Sequence, residues 1–451
     1  MTRRVRVVAA SAPGLVHGSD GGRPTIQLTD LSSALTAALG GTGPAVLAVP
    51  HGLDDVADAA PRSAIDAGVP ADVALVVRTS GSTGAPRAVL LSAEALRTSA
   101  DATADRLGGH GRWLLALPAT HIAGLQVLAR SVLAGTRPVA LAPGPFRAPD
   151  FAAATDELVG TNPHNHRDSA ERRYTSLVPT QLRRLLADPH GVWALRAYDA
   201  VLVGGAATAP ALVDDARAAG ISIVTTYGMS ETCGGCVYDG RPLDGMTVEV
   251  EPDGRILLAG PMLATGYLGR PDLDEETFVD RAGVRWLRTS DAGSVHTRGP
   301  SGTVLTVLGR LDDMLVSGGV KVAPAAVERL VAQVPGIAEV CVVGIPDAEW
   351  GQAVTAVVVL ADDAPTPRLT QVRSAVARTL GPACAPRHLV VVGSIPVRGP
   401  GKPDRHAVVE LAITAISQPA APAPPDDRAP GRGTDRPAVD GRPGDRPYGL
   451  R

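Results

Sequence analysis

The chain has 451 residues, 45% of them hydrophobic, with 43 Lys and Arg against 46 Asp and Glu and a net charge of −3. That length and balance fit a soluble globular protein of two or more domains and give no reason to expect a nucleic-acid or acidic-membrane partner. Four cysteines are too few for a disulfide framework, and no apolar run approaches the roughly 20 residues a membrane span needs.

The basic start "MTRRVRVVAASAPG" lacks a cleavage region and reads as an opening strand through Val5, Val7 and Val8, so the expected location is the cytoplasm. Apolar, β-branched runs then recur: "AVLAV", "VALVV", "WLLALP", "RPVAL", "TSLVP", "AVLVGG" and "SIVTTYG". Helical patterns lie between several of them. In "SAEALRTSADATADRL", Ser92 is the expected N-cap; in "PTQLRRLLAD", Leu182, Leu185 and Leu186 share a face. Strands alternating with helices predict an α/β fold with largely parallel sheets. "GTNPHNHRDSAER" reads as a polar loop, and its His164 and His166 as solvated residues rather than metal ligands.

From about Asp239 the pattern becomes β-rich. "MTVEVEPDGRILLAG" predicts two strands joined by an Asp-Gly turn, and "GVRWLRTSDAGSV" and "GTVLTVLGR" predict further short strands. After Arg310, helices in "APAAVERLVAQVPG" and "LTQVRSAVARTLG" alternate with strands in "IAEVCVVGIPD", "QAVTAVVVLAD" and "HLVVVGSIP", a compact α+β module. The chain thus divides into a large unit over residues 1–310, a small one over 311–416, and a Pro/Ala/Arg-rich tail over 417–451. The tail has too little apolar surface to offset its ordering entropy and is expected to be disordered.

Several constellations carry chemistry. "TSGSTGAPR" directly follows "VALVV". Gly81 and Gly84 allow backbone amides close to oxyanions, and Thr79, Ser80, Ser82 and Thr83 add hydroxyl donors. "TTYGMSETCGG" puts Tyr227, Ser230 and Glu231 at a strand end, where a carboxylate can hold Mg²⁺ on phosphate oxygens. Asp291 in "WLRTSDAG" can accept from ribose hydroxyls. "GRLDDMLVSGGVKVAP" supplies Arg310, Asp312 and the Gly318–Gly319 pair, and "IPVRGPGKPDRHAV" sets Lys402 in a Gly/Pro-rich loop. The "CGGC" at Cys233 to Cys236 has redox or zinc spacing but no second pair, so it reads as small residues in a glycine-rich strand or turn.

Taken together, "TSGSTGAPR", "YGMSE", "TSD", "GRLD" and "PVRGPGK" resemble the motif series of the adenylate-forming acyl-CoA synthetases, from about Val73 to about His406. "GRWLLALPATHIAGLQVLARSVLAGTRPV" and "TSLVPTQLRRLL" resemble the branch acting on o-succinylbenzoate in menaquinone biosynthesis, in a form short ahead of the phosphate loop. The resemblance implies an adenylation domain over 1–310 and a mobile domain over 311–416. It implies ATP and coenzyme A as co-substrates, Mg²⁺, an acyl-adenylate intermediate, and release of AMP and pyrophosphate. Lys402, Glu231 and Ser230 would act on the α-phosphate and metal, and residues Thr79 to Gly84 with Arg87 on the departing phosphates. Gly204, Gly205, Ala206, Tyr227 and Gly228 would hold adenine; Asp291 and Arg310 would hold ribose. His121, Gln126, Ser176 and Thr226, with Arg130, would meet the acid. Asp312 would be the hinge, and Gly318 and Gly319 would line the coenzyme A path. A homo-oligomer stays open. So do two alternatives: a ligase for another acid or for a carrier protein, and a non-catalytic nucleotide binder. Three departures stand out: Arg87 where the family has lysine, Ser290 where it has glycine, and "SGGVKV" near the coenzyme A path.

Overall fold

The computed structural model describes residues 2–10, 24–50, 62–79, 87–142, 144–160, 171–297, 302–361, 364–398 and 402–417. The histidine-bearing loop and the proline-rich tail fall outside these residues, so the expectations about them concern parts not described.

The first sheet begins with β1 (Val5–Ala10), followed by helix α1 (Pro24–Leu39), β2 (Ala45–Pro50), β3 (Val73–Thr79) and β4 (Arg87–Ser92). β1 pairs parallel with β2 and β2 with β3, while β3 and β4 are antiparallel. Both faces are covered, so "VALVV" is buried throughout and shows no alternation. Leu31 and Leu35 of α1 are fully buried, each contributing about 1.5–3 kcal/mol by removal from water. Helix α2 (Ala93–Leu107) starts where expected: the Ser92 side chain accepts from the amide of Ala95.

The second sheet contains β5 (Gly111–Leu115), β6 (Val139–Ala140), β7 (Arg172–Leu177), β8 (Ala200–Val203), β9 (Ile223–Met229), β10 (Gly234–Tyr238) and β11 (Arg241–Pro242). Its order is β11-β10-β9-β8-β7-β5-β6. The strands from β6 through β9 pair in parallel, and β10 and β11 return antiparallel. Helix α3 (Ile122–Leu133) lies between β5 and β6 in sequence and packs on α1 and α2. Helix α4 (Pro179–Leu186) buries Leu182 and Leu185, with Leu186 packed at the edge of the same cluster.

The β-rich region corrects one expectation. β12 (Thr247–Val250) and β13 (Arg255–Ala259) form the expected hairpin. A two-residue strand, β14 (Gly266–Tyr267), goes back to pair with β4 of the first sheet. After β15 (Phe278–Arg281), however, "VRWLRTSDAGSVHT" is one 14-residue strand, β16 (Val284–Thr297), not a short one. It is long because it serves three neighbours: β13, β15 and β17 (Thr303–Arg310). The last pairing carries an irregularity at Ala292/Gly293; a bulge of this kind lets one strand bend between partners.

The small C-terminal domain is built on β18 (Leu315–Ser317), β19 (Val320–Val322), β20 (Ile337–Asp347), β21 (Gly351–Leu360) and β22 (His388–Val391). Helices α5 (Pro324–Val331) and α6 (Leu369–Leu380) cover it. A short hairpin follows, β23 (Val397–Arg398) with β24 (Lys402–Pro403). The chain then forms α7 (Arg405–Ser417), a helix not anticipated from sequence, whose Val408 and Ala412 are buried against β20 and β21. Across the junction, Arg329 Nη1 donates to the carbonyl of Val307 on β17 (3.0 Å). Among the described residues no helix is long and apolar enough to cross a membrane.

Candidate active site

Thr79 and Arg87 face each other across the antiparallel pair β3/β4, so the Ser/Thr/Gly loop hangs from a hairpin base. Ser80, Gly81, Ser82, Thr83 and Gly84 lie outside the described residues. A strand, not a helix, follows the loop. No helix N-terminus therefore directly follows the loop.

β14 lies beside β4, with Tyr267 opposite Val89. This brings Tyr267 under Arg87, whose guanidinium carbon is 5.7 Å from the ring centroid, a cation–π distance. Tyr267 Oη donates to Glu231 Oε1 (2.8 Å), and the amide of Ala264 donates to the carbonyl of Glu231 (2.8 Å). Burial, with the Glu231 carboxylate, pushes the Tyr267 phenol above its usual range, so it stays a donor. Glu231 Oε2 has no hydrogen bond among the described residues. No group of three or more His, Cys, Asp or Glu that could hold a metal ion occurs there. One hard oxygen ligand fits a Mg²⁺ bound mainly through substrate phosphates. Tyr267 was not singled out from sequence; only the dipeptide in "ATGYLGR" marks it.

Glu231 and Ser230 lie in a short 3-10 turn after β9, with Ser230 buried and Glu231 half-buried. The bend into β10 needs Gly228: a Cβ there would stand 2.0 Å from the carbonyl oxygen of Gly234. Tyr227 Oη donates to Asp291 Oδ2 (2.8 Å), so the adenine and ribose candidates touch. Burial, reinforced by Asp291, holds the Tyr227 phenol well above its usual value. Asp291 sits opposite Arg310 in the β16/β17 register, 4.0 Å away, and Arg310 Nη2 donates to Asp312 Oδ2 (2.6 Å). Gly204 and Gly205 follow β8, where the Gly204 amide donates to Leu177 and a Cβ at Gly204 would meet Thr226 Oγ1 at 2.2 Å. Ala206 continues that turn.

The acid-binding candidates lie around α3. His121 is its N-cap, exposed, with no capping bond from its side chain. Gln126 is 2% exposed and its Nε2 donates to the carbonyl of Cys233 and to Ser99 Oγ. One turn further on, Arg130 is 5% exposed. Its Nη2 donates to Thr103 Oγ1 and Tyr238 Oη, both 3.2 Å, and its guanidinium lies 5.0 Å over the Trp113 ring. No carboxylate pairs with it among the described residues. Arg130 Nε and Gln126 Oε1 are buried without hydrogen-bond partners. Gly234 and Gly235 pass beside Gln126, Tyr238 and Thr226 and put no side chains among them. Thr226 Oγ1 donates weakly to Val203 O (3.4 Å), and Ser176 is buried on β7. Tyr238, which links Arg130 to this strand, was not anticipated. Cys233 and Cys236 are free and buried; burial pushes the Cys236 thiol up to about 12 and that of Cys233 higher.

In the small domain, Gly318 and Gly319 form the exposed tip of the β18/β19 hairpin, both at positive φ, with Gly318 against the Trp350 ring. The Arg387 guanidinium lies over the Trp350 ring, 3.5 Å from its centroid. Lys402 lies on β24, opposite Arg398.

Comparison with known proteins shows the family. The model of the AMP-binding enzyme family matches residues 46–268, and that of the AMP-binding enzyme C-terminal domain matches residues 326–402. A Mycobacterium tuberculosis protein named "Probable 2-succinylbenzoate--CoA ligase" is 45% identical over 379 residues, covering 84% of this chain and 94% of that protein. The 2-succinylbenzoate–CoA ligase of Listeria monocytogenes is 30% identical over 351 residues, covering 75% and 70%. The fold matches o-succinylbenzoate CoA synthetase from Bacillus subtilis in complex with its acyl-adenylate intermediate. There the TM-score is 0.65 at 23% identity, over 90% of this chain and 88% of that one. It also matches an amide bond synthetase from Marinactinospora thermotolerans, with a TM-score of 0.67 at 24% identity over 91% and 90%. The chain belongs to the AMP-binding enzyme family, and with it to the adenylate-forming ligases.

Proposed function

We propose that this enzyme joins coenzyme A to o-succinylbenzoate in two steps, in the cytoplasm, where both co-substrates are available. ATP and the carboxylate give an acyl-adenylate and pyrophosphate; the thiol of coenzyme A then displaces AMP. The relatives named above support the reaction class. The substrate class rests on Arg130. A buried guanidinium without a carboxylate is costly, and an incoming anion offsets that cost. A dicarboxylic acid supplies one: one carboxylate reacts, and the other meets Arg130 and Gln126, with Thr226 and Ser176 along the way and His121 at the entrance.

Attack on the α-phosphate brings two anions together. At about 4 Å they repel by about 4 kcal/mol at an effective dielectric near 20. Lys402 offsets this by bridging the carboxylate and α-phosphate oxygens, and Ser230 donates to the same phosphate. Glu231, held by Tyr267, would hold Mg²⁺, which would neutralise phosphate charge when bound. The Thr79–Arg87 loop holds the departing pyrophosphate. Tyr227, Gly228 and the turn at Gly204–Ala206 seat the adenine, and Asp291 and Arg310 seat the ribose. Rotation about Asp312 then withdraws Lys402 and brings Gly318 and Gly319 to the thiol path. Positioning and electrostatics supply the rate.

A screen of pyrophosphate release over a panel of acids, with and without coenzyme A, tests the reading. We expect coenzyme A-dependent turnover with o-succinylbenzoate ahead of monocarboxylic aryl acids. Turnover only with another acid, or only with a carrier protein, removes the substrate assignment. ATP binding without adenylate formation removes the enzyme.

A further inference from the structure

The two aspartates after Arg310 face opposite ways. Asp312 accepts from Arg310 on the large-domain side. Asp313 instead pairs with Arg405, at 3.1 Å from its Nε. Arg405 begins α7, three residues past Lys402. Its Nη1 lies 2.8 Å from Glu328 Oε1 on α5 and donates to the carbonyl of Val342 on β20 (2.6 Å). Glu328 also accepts from the amide of Val342 (2.8 Å), which closes the cluster. Cys341 Sγ is 3.6 Å from the same Nη1. Beside it, the amide of Asp404 donates to Pro396 O (2.8 Å), which closes the base of the β23/β24 hairpin. One side chain thus joins the base of the lysine hairpin, the domain body and the residue next to the pivot.

We propose that Arg405 is a positioning residue: it bolts the hairpin that carries Lys402 to Asp313 beside the pivot and to Glu328 in the domain body, so that domain rotation delivers Lys402 at a fixed position. The inference rests on the reading of Lys402 given above. It predicts different fates for the two half-reactions, because only the first needs Lys402 in place. General loss of folding would slow both.

The test is rapid-quench measurement of adenylate formation from o-succinylbenzoate and ATP, and separately of thioester formation from preformed adenylate and coenzyme A. In Arg405→Met, adenylate formation falls about 100-fold, the scale of a misplacement of about 1 Å, while thioester formation stays within about 3-fold. Asp313→Asn shows the same split at smaller size and serves if Arg405→Met fails to fold. The double variant is no slower than Arg405→Met alone, because both act through one contact. Equal slowing of both half-reactions, or slowing of neither, overturns the proposal. Lys402→Ala is the reference. If it leaves adenylate formation intact, the reading of the reaction fails; if it abolishes that step while the Arg405 variants show no split, only the proposal fails.

Discussion

Two arginines in this molecule, Arg405 half-buried and Arg130 buried, have opposite surroundings. Arg405 has carboxylates at 3.1 and 2.8 Å and a carbonyl at 2.6 Å. Arg130 is more deeply buried, yet it meets two hydroxyls and a ring, with its Nε unpartnered. A guanidinium neutralised by its own chain is a fastening. One left without an acid carries an uncompensated charge, and the proposed function gives Arg130 its anion in the substrate. The contrast separates structure from recognition without reference to sequence position.

The largest effect that sharpens this contrast concerns stability. Arg405→Met leaves half-buried Glu328 with the Val342 amide but no cation, and should cost about 3 kcal/mol in chemical denaturation. Arg130→Met removes a charge that nothing neutralises, and should stay within about 1 kcal/mol of the parent. If both lose the same amount, the contrast is broken. Next comes substrate binding: Arg130→Met should raise KM for o-succinylbenzoate about 100-fold, the scale for truncating one partner of a buried charge pair, with KM for ATP unchanged. A smaller effect concerns the metal. Tyr267→Phe keeps the ring under Arg87 but removes the donor to Glu231. The Mg²⁺ concentration for half-maximal ATP binding, followed by calorimetry, should rise about 10-fold, one charged hydrogen bond's worth. Smallest is Arg87→Lys, which keeps the charge and loses the flat contact with Tyr267; KM for ATP should change by less than about 3-fold.

The sequence made the motif residues legible because they cluster locally. Glu231 follows Tyr227 by four positions, and the loop base is read directly from "TSGSTGAPR". The partners that orient them were not legible. Tyr267 reaches Glu231 from 36 positions away, because β14 returns to a sheet formed early in the chain. Tyr238 meets Arg130 across 108 positions, and Arg405 meets Cys341 across 64. Such pairs follow from sheet order, which periodicity does not encode. The length of β16 was missed for the same reason: three neighbours, not propensity, set its extent. Helix α7 was hidden because it begins beside a Gly/Pro-rich stretch and owes its place to Val408 and Ala412 against the sheet.

The central claim is that Arg130 waits for the second carboxylate of the acid. The most direct measurement compares kcat/KM for o-succinylbenzoate with that for the analogue whose non-reacting carboxylate is methylated, in the parent and in Arg130→Met. The account predicts a preference of about 100-fold for the free dicarboxylate in the parent and a ratio near unity in the variant. An unchanged preference in Arg130→Met would contradict it.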